Sequence, residues 1–458
     1  MHPPRRTELV AMARLALPIV TAQVGLMMMG VVDTLMVGRV SAAALAGVAL
    51  GNLYAISIII PMSGTLMLLD PLVAQAVGAR DETGVARGIQ RGMLLALPLA
   101  LFASALLLPV VPVLRLFRQP AELIAMAAPY VSVSIIGVFP FLIFVVLRQS
   151  LQALGELRIM IVAIVLANLC NAALNWVFIF GHLGSPAMGV VGSAWATGVS
   201  RWLMALIVLA LGWRRLRAAL RPWHAESMRL APLVQMLRLG VPIGLMQFLE
   251  YSVFSATALL MGTLGTRALA AHQIAINLAS LTFMVPLGVG AAAAVRVGHA
   301  VGARDPEAAR ESARAALVCG VGFMCVSAMI FVVAPGLIAR QYTSDVSVIT
   351  LAVLLIPIAG VFQLFDGVQA VCAGALRGLG DTRVPFLINL AGFWLAGFPV
   401  SVWLGFHTRL GPVGLWWGFV AGLGAVGLLL LLRLRGRLRT TLARTSVEDE
   451  MAAISSQG

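Results

Sequence analysis

Long apolar runs separated by short polar segments dominate the chain. Each run is about 20 residues long, the length that a helix needs to cross the hydrocarbon core of a bilayer. The pattern predicts an all-α integral membrane protein with twelve transmembrane helices. Their predicted bounds are 15–37, 47–73, 92–112, 126–147, 159–180, 191–212, 239–262, 273–295, 315–337, 350–374, 385–406 and 412–433.

The second half of the chain repeats the first at a spacing of 224 residues. The hexapeptide AVGARD occurs at Ala76–Asp81 and again at Ala300–Asp305, and the same shift carries Pro18 onto Pro242. Because six helices separate the two copies, both copies have the same orientation in the membrane, which defines a parallel repeat. We therefore expect two pseudo-symmetric six-helix bundles, with a substrate site near the membrane midplane.

Arginine placement sets the orientation and the segment boundaries. With the N-terminus inside, the inner segments hold 25 of the 32 basic residues and the outer loops hold six. The positive-inside rule therefore places both termini in the cytoplasm. The predicted segments are a cytoplasmic N-terminus (1–14), an N-terminal lobe (15–212), a cytoplasmic linker (213–238), a C-terminal lobe (239–433) and a cytoplasmic tail (434–458).

Composition excludes several classes of function. The chain is 60% hydrophobic and 11% charged, whereas soluble proteins are roughly a quarter charged. Every basic residue is an arginine, and a Walker A phosphate loop needs a lysine, so an ATP pump of that type is excluded. The net charge of +14 would suggest nucleic acid in a soluble protein. Here the arginines flank membrane helices, and we expect a lipid bilayer and no nucleic acid as the partner.

Four of the 18 acidic residues fall inside predicted helices: Asp33, Asp70, Glu250 and Asp366. A charge at the centre of a membrane helix costs roughly 2.5–3.5 kcal/mol, so such residues mark ion or substrate paths. Arg201 is the one arginine expected at a comparable depth. A buried carboxyl without a cationic partner holds a proton or coordinates a cation. A structural hydrogen bond by a protonated acid is the alternative, and Asp70 is expected to snorkel to the interface.

Polar and flexible side chains accompany Asp33 in the first half. Asn171 and Asn175 are one turn apart and share a face of the fifth helix, and Thr197 is on the sixth. These residues predict an oxygen-rich cluster around Asp33, with plain interhelical hydrogen bonds as an equal alternative. Met28 predicts an adaptable apolar surface beside the acid, although packing is the usual role of a membrane methionine.

The second half places its two acids among polar and aromatic neighbours. Glu250 lies midway along the seventh helix, between Gln247 and Tyr251, which are candidate cavity or supporting residues. Asp366 lies on the tenth helix, one turn after Phe362. Both acids belong to the second bundle, and the repeat does not duplicate them in the first. We therefore expect the second bundle to hold a carboxylate pair of its own.

The eighth helix begins with two further polar residues, His272 and Gln273. Gln273 is a candidate cavity residue. A histidine at the start of a membrane helix is more typical of the interface than of a proton path, so His272 is predicted to be interfacial.

Several segments together resemble a known family. They are VDTLMVGRVS (32–41), PLVAQAVGA (71–79), FLEYSVFSATALL (248–260), LAAHQIAINLASLTFMVPLGVGAAAAVRVGHAVG (269–302) and DGVQAVCAGALRGLGDT (366–382). They resemble the multidrug and toxic compound extrusion (MATE) family, in its NorM-like bacterial branch, over nearly the whole chain. The resemblance implies a V-shaped monomer in the bacterial inner membrane. It implies export of small cationic, amphipathic drugs in exchange for sodium or protons, by alternating access and without a resident cofactor or enzymatic activity.

The resemblance also implies roles for the buried acids. Glu250 and Asp366 match the acids of the seventh and tenth helices that bind the coupling cation, and they would hold the metal ion if sodium is coupled. Asp33 matches the first-helix acid that is tied to ion binding and drug release. The three acids are therefore the expected cation-coupling residues.

Supporting positions match the family less closely. Asn171, Asn175 and Thr197 stand at the positions of partners of the first-helix acid, but related members have an acid near the second asparagine. Phe362 stands where some members have tyrosine, which keeps the ring for a cation–π contact. Asp70 replaces a residue that is usually uncharged, so no role transfers to it.

Three alternatives stay open at the level of sequence. A lipid-linked saccharide flippase of the same superfamily would need cationic groups for a pyrophosphate, whereas the buried charges here are acidic. A membrane-embedded enzyme would need a constellation such as HExxH or a Ser/His pair at one depth, and the sequence shows neither. A receptor without transport activity is the third. Carboxylates serve both sodium and protons, so the coupling ion is also open.

Overall fold

A computed structural model describes residues 5–440 and 443–445. This part of the chain forms twelve helices that are long and apolar enough to cross a membrane. They are α1 (Arg6–Gly38), α2 (Ala42–Gly78), α3 (Glu82–Leu107), α4 (Ala121–Ala153), α5 (Leu157–Phe180), α6 (Val190–Leu220), α7 (Leu230–Thr263), α8 (Thr266–Gly302), α9 (Pro306–Val333), α10 (Val346–Gly378), α11 (Arg383–Phe406) and α12 (Pro412–Arg437). The prediction of twelve transmembrane helices is confirmed, and the described residues contain no strand.

All twelve helices are longer than the apolar runs that predicted them. An apolar window ends at the first polar residues, whereas the backbone hydrogen bonds of the helix continue through them. Arg91 and Arg148 lie one residue outside the predicted spans 92–112 and 126–147, but they are within α3 and α4 and are 4% and 7% exposed. Neighbouring segments supply polar partners for both: Arg148 Nη1 donates to Gln23 Oε1 at 3.0 Å, and Arg91 Nη2 donates to the Glu226 carbonyl at 3.4 Å.

The connection between α6 and α7 is short. Residues 221–229 form it, and the two helices occupy most of the segment 213–238 that the apolar pattern left between them. Gln90 of α3 holds the connection in place: its amide nitrogen donates to the Pro222 carbonyl at 3.1 Å, and its oxygen accepts from the His224 backbone N–H at 3.0 Å. The basic stretch is therefore largely helical and anchored.

The internal repeat extends to the backbone of equivalent loops. Arg80 and Arg304 both have a φ of 56°, in the left-handed region that a residue with a Cβ enters at a cost of about 1 kcal/mol. Each is followed by an aspartate that caps the next helix: Asp81 accepts from a backbone N–H in the first turn of α3, and Asp305 does so for α9. The repeated AVGARD sequence thus encodes a helix end, a turn and an N-cap in both halves.

Replacing Asp305 with alanine should destabilise α9. The Asp305 Oδ1 atom accepts from the backbone N–H groups of Glu307 at 3.1 Å and Ala308 at 2.9 Å. Loss of an N-cap acceptor costs about 1 kcal/mol, so the purified Asp305→Ala protein should melt at a lower temperature than wild type in detergent. Asp305→Asn keeps an acceptor and should melt close to wild type. Equal melting of the alanine variant and wild type would show that the cap contributes nothing.

The helices form two compact units, and each includes residues from the other half of the chain. Of the described residues, the C-terminal unit comprises 5–20, Gly78–Arg80 and those within Leu245–Thr445, and the N-terminal unit comprises Thr21–Val77 and Asp81–Gly244. The first part of α1 thus belongs to the C-terminal unit, and the first part of α7 belongs to the N-terminal unit. The two boundaries, after Val20 and after Gly244, are 224 residues apart, so the repeat carries one onto the other.

Glycines bring α8 and α10 into close contact within the C-terminal unit. A Cβ atom at Gly290 would lie 2.6 Å from the Ala370 carbonyl oxygen, and a Cβ atom at Gly374 would overlap the backbone of Gly290. The two helices therefore pack backbone to backbone, as small residues allow in membrane proteins. This contact fixes the position of α10, which contains Asp366.

Candidate functional site

Asp33 lies at the centre of a buried hydrogen-bond cluster in the N-terminal unit. Its side chain is 6% exposed. Asn175 Nδ2 donates to Asp33 Oδ1 at 2.6 Å, and the Thr197 hydroxyl donates to Asp33 Oδ2 at 2.6 Å. Both carboxyl oxygens therefore have a donor, which is the arrangement that a buried carboxylate requires.

Asn171 closes this cluster into a ring. Its oxygen accepts from Asn175 Nδ2 at 3.2 Å, and its nitrogen donates to the Thr197 hydroxyl at 3.4 Å. Arg201 interacts electrostatically with Asp33, and its guanidinium carbon lies 4.9 Å from the ring centroid of Phe141. The structure thus brings together the four polar residues predicted for this cluster, and Arg201, the arginine expected at a comparable depth, lies near them.

An apolar cavity of about 410 Å³ lies between α1 and α5 in the same unit. Met28, which is 42% exposed, is one of its lining residues. The others are Thr21, Ala22, Val24, Gly25, Val32, Ile161, Ile164, Val165, Asn168, Leu169 and Ala172. Val32 directly precedes Asp33 in the chain, so the cavity and the polar cluster share the same part of α1. A mostly apolar cavity with a few polar groups is typical of small-molecule sites.

Glu250 and Asp366 form a carboxyl pair in the C-terminal unit. The two groups interact electrostatically. Glu250 is half-buried and its Oε2 atom accepts from Gln369 Nε2 at 3.3 Å. Asp366 is 4% exposed, and its Oδ1 atom has no hydrogen-bond partner among the described residues. The pair therefore provides carboxyl oxygens, and no arginine among the described residues neutralises them.

A second polar group lies one turn from Asp366 on α10. The Gln363 side chain is fully buried, and its Oε1 atom accepts from the hydroxyls of Thr282 at 2.5 Å and Ser327 at 3.1 Å. Residues three apart on a helix share a face, so Gln363 and Asp366 share one side of α10. Nearby, Phe362 is 1% exposed.

The Phe362 ring belongs to an aromatic cluster. Its centroid lies 5.8 Å from that of Phe254, 6.1 Å from that of Trp416 and 6.1 Å from that of Phe419. Edge-to-face pairs at such distances are favourable. The cluster packs against α10 one turn before Asp366.

Three predicted residues lie outside these hydrogen-bond clusters. Gln247 and Tyr251 flank Glu250 on α7 and are half-buried, and the Gln273 side chain on α8 is exposed. In the described part of the chain, the polar contacts of Glu250 run to α10 and not to these residues.

Two sequence expectations need correction. Asp70 was predicted to snorkel to the interface but is fully buried, and Gln152 Nε2 donates to its Oδ1 atom at 3.2 Å. The reason is a break in α2 at residues 67 and 68, after which the helix restarts and turns Asp70 inward. His272 was predicted to be interfacial but is 1% exposed, because α8 begins earlier than its apolar run and packs this ring 5.6 Å from Trp416.

Sequence reasoning gave no site role to three buried amides, namely Gln363, Gln369 and Asn389. The first two lie three residues before and after Asp366, so helical spacing could have placed them on its face. Asn389 comes from a different helix, and no local spacing connects it to Glu250.

The donor set of the C-terminal unit suits a monovalent cation or a proton. Among the described residues, no three His, Cys, Asp or Glu side chains come together as a metal site would require. Two carboxyls and neighbouring amide oxygens are hard oxygen ligands. Such a set can bind sodium or hold protons, but it lacks the nitrogen and sulfur ligands of a typical zinc site.

A family profile matches both halves of the chain. The profile described as MatE matches residues 18–177 and 242–403. The matched stretches cover more than half of the chain, and they begin 224 residues apart, at the spacing of the internal repeat. The chain belongs to the MatE family. The MatE profile therefore matches the sequence once in each half.

Bacterial proteins resemble this MatE family member along most of their length. "Multidrug resistance protein NorM" of Burkholderia vietnamiensis is 39% identical over 410 residues, which cover 87% of this chain and 87% of that protein. "Multidrug resistance protein PmpM" of Pseudomonas aeruginosa is 38% identical over 406 residues, which cover 87% and 84%. The resemblance to the NorM-like bacterial branch is confirmed, and the chain is a multi-pass bacterial membrane protein.

Solved structures share the MatE fold. The crystal structure of the "eukaryotic MATE transporter AtDTX14" superposes with a TM-score of 0.86 at 22% identity and covers 94% of this chain and 98% of that one. An "outward-facing conformation of a multidrug resistance MATE family transporter of the MOP superfamily" gives 0.84 at 20% identity, with 96% and 99% covered. At these identities the similarity establishes the fold.

Proposed function

We propose that this MatE protein is a secondary active multidrug efflux antiporter. It exports small cationic, amphipathic compounds in exchange for sodium or protons by alternating access. The coupling ion is the cargo of the cycle, which needs no resident cofactor and no covalent catalysis. The names of the bacterial relatives, which are multidrug resistance proteins, support the efflux part of the proposal.

The carboxyl pair of Glu250 and Asp366 carries the proposal. The two acids lie inside the C-terminal unit without a compensating arginine among the described residues. A buried charge is costly unless it is paired or neutralised. Binding a cation, or taking up a proton, removes that cost, so occupancy of the pair changes the free energy of the conformation that holds it. Such differential affinity is what a ligand needs to shift a conformational equilibrium.

The N-terminal unit supports the drug-handling part. Its apolar cavity beside Asp33 offers contact area for an amphipathic compound, and the Asp33 cluster offers negative charge. We propose that Asp33 takes part in cation or proton binding and in drug release, with Asn171, Asn175 and Thr197 as its partners. The protein acts as a monomer in the inner membrane, with both termini in the cytoplasm.

Transport by purified protein in liposomes tests the function. Ethidium or a similar cationic dye is loaded on one side, and a sodium gradient or a pH gradient is imposed alone. We expect dye movement against its own gradient with at least one of the two ions, and that ion is the coupling ion. If dye moved no faster than in empty liposomes under the sodium gradient and under the pH gradient, each tested alone, the antiport would be refuted.

A further inference from the structure

An amide chain links Glu250 to the backbone of α11. Gln369 Nε2 donates to Glu250 Oε2 at 3.3 Å and also to Asn389 Oδ1 at 3.3 Å. Asn389 Nδ2 in turn donates to the Pro385 carbonyl at 2.8 Å. Gln369 is 2% exposed and Asn389 is fully buried, so bulk water does not compete for the two bonds that Asn389 makes.

The direction of this chain is fixed at its far end. A backbone carbonyl only accepts, so the Asn389 amide must turn its nitrogen to Pro385 and its oxygen to Gln369. Gln369 must then present its NH₂ group to that oxygen, and the second hydrogen of the same group points to Glu250. If the Gln369 amide were flipped, its oxygen would face the Asn389 oxygen and the Glu250 carboxylate. The bond to Asn389 therefore favours the Gln369 orientation that presents an N–H donor to Glu250.

A second contact ties the same helix to the Glu250 backbone. Residues Leu390–Gly397 of α11 form a π-helical segment, a rare conformation that often occurs at functional sites. Trp394 lies in this segment, and its indole Nε1 donates to the Leu249 carbonyl at 3.2 Å. Leu249 directly precedes Glu250, so α11 holds both the side chain and the backbone at this position.

We propose that Gln369 and Asn389 are positioning residues of the cation site, in which the Pro385 carbonyl orients an amide relay that keeps an N–H donor directed at Glu250. The relay stabilises the ionised carboxylate, the form that accepts a cation or a proton. The inference rests on the proposed role of Glu250 in coupling, and it adds α11 to the elements that set its charge. Trp394 supports the relay by holding α7 against α11.

The test must separate Glu250 from the other titratable group that faces it. Asp366 on α10 interacts electrostatically with Glu250, and two interacting acids titrate as a pair. The titration is therefore performed in an Asp366→Asn background, with purified protein in liposomes and sodium-free buffer. Infrared difference spectroscopy follows the C=O stretch of the protonated carboxyl, and Glu250→Gln identifies the band by removing it.

Removing the relay should favour protonation of Glu250, because an N–H donor stabilises the ionised carboxylate more strongly than the neutral carboxyl. The pH at which the band is half-lost should rise by roughly one unit in Asn389→Ala, given the strength of hydrogen bonds to charged groups. Gln369→Leu should raise it at least as much while leaving the Asn389–Pro385 bond in place. The double variant should equal Gln369→Leu alone, since both changes remove one chain of bonds.

Ser401→Ala is the matched control. It removes a different buried hydrogen bond of α11, from the Ser401 hydroxyl to the Leu415 carbonyl at 3.0 Å, and should leave the midpoint unchanged. An unmoved midpoint in Gln369→Leu, or additive shifts in the double variant, would overturn the relay. The titration uses neither drug nor gradient, so its result does not depend on the antiport. Absence of dye movement in liposomes would refute the antiport, whereas an unmoved midpoint would refute only the relay.

Discussion

Gradient-driven dye efflux by the Glu250→Gln protein should fall to the passive rate of empty liposomes. Glutamine matches glutamate in size and can still pair with Gln369, but it neither carries a charge nor takes up a proton. Without differential affinity for the cation, the gradient no longer shifts the conformational equilibrium, and we expect a loss of about tenfold or more in the coupled rate. The measurement is dye transport in liposomes at equal protein content under the gradient that drives the wild type.

Two controls make this outcome specific. Glu122→Gln applies the same substitution to an exposed acid in the first turn of α4 and should transport at the wild-type rate. The Glu250→Gln protein should also remain monodisperse and melt at or above the wild-type temperature, because a neutral side chain is easier to bury. Full efflux by a folded Glu250→Gln protein would refute the coupling role of this acid.

Valine at Gly374 should strongly destabilise the C-terminal unit. The Cβ atom of any residue that replaces Gly374 would overlap the backbone of Gly290 on α8. Backbone atoms cannot rotate away as a side chain can. Overpacking in a close-packed interior costs up to about 3 kcal/mol, and a forced separation of α8 and α10 should reach the upper end of that range. The expected result is a large drop in melting temperature and in the yield of monodisperse protein.

Gly322 provides the matched site for this substitution. It lies on α9, and a Cβ atom there would have no heavy atom within 4 Å. Gly322→Val changes helix propensity in the same way as Gly374→Val but adds no contact, so it should melt close to wild type. If both valine variants lost equal stability, the cost would come from the residue type and not from the contact between α8 and α10.

The features that sequence predicted are those encoded by local or periodic patterns. Apolar length alone specified twelve helices, and the AVGARD repeat specified the duplication. The spacing of Asn171 and Asn175 placed them on one face of their helix. The free-energy cost of burying the Asp33 charge predicted hydrogen-bond donors such as these around it. The structure brings Asp33, Asn175, Asn171 and Thr197 into one ring of hydrogen bonds.

The features that sequence missed depend on contacts between distant helices. The burial of Asp70 follows from a break in α2 that apolar content does not signal. The burial of His272 depends on where α8 begins and on its packing against Trp416. Asn389 and Gln369 are 20 residues apart in the chain, and they meet only because α10 and α11 approach each other at this point. Such pairings set side-chain direction, which hydropathy alone does not specify.

The assignment of the first parts of α1 and α7 to opposite units has a consequence for dividing the protein. A cut in the connection 221–229 would produce two fragments with six membrane helices each. Each fragment would carry a leading segment whose packing partners lie on the other fragment, since residues 5–20 belong with the C-terminal unit and residues 230–244 with the N-terminal unit. The fragments would therefore need each other to complete their cores, and fragment complementation, not independent folding, is the behaviour built into this duplicated chain.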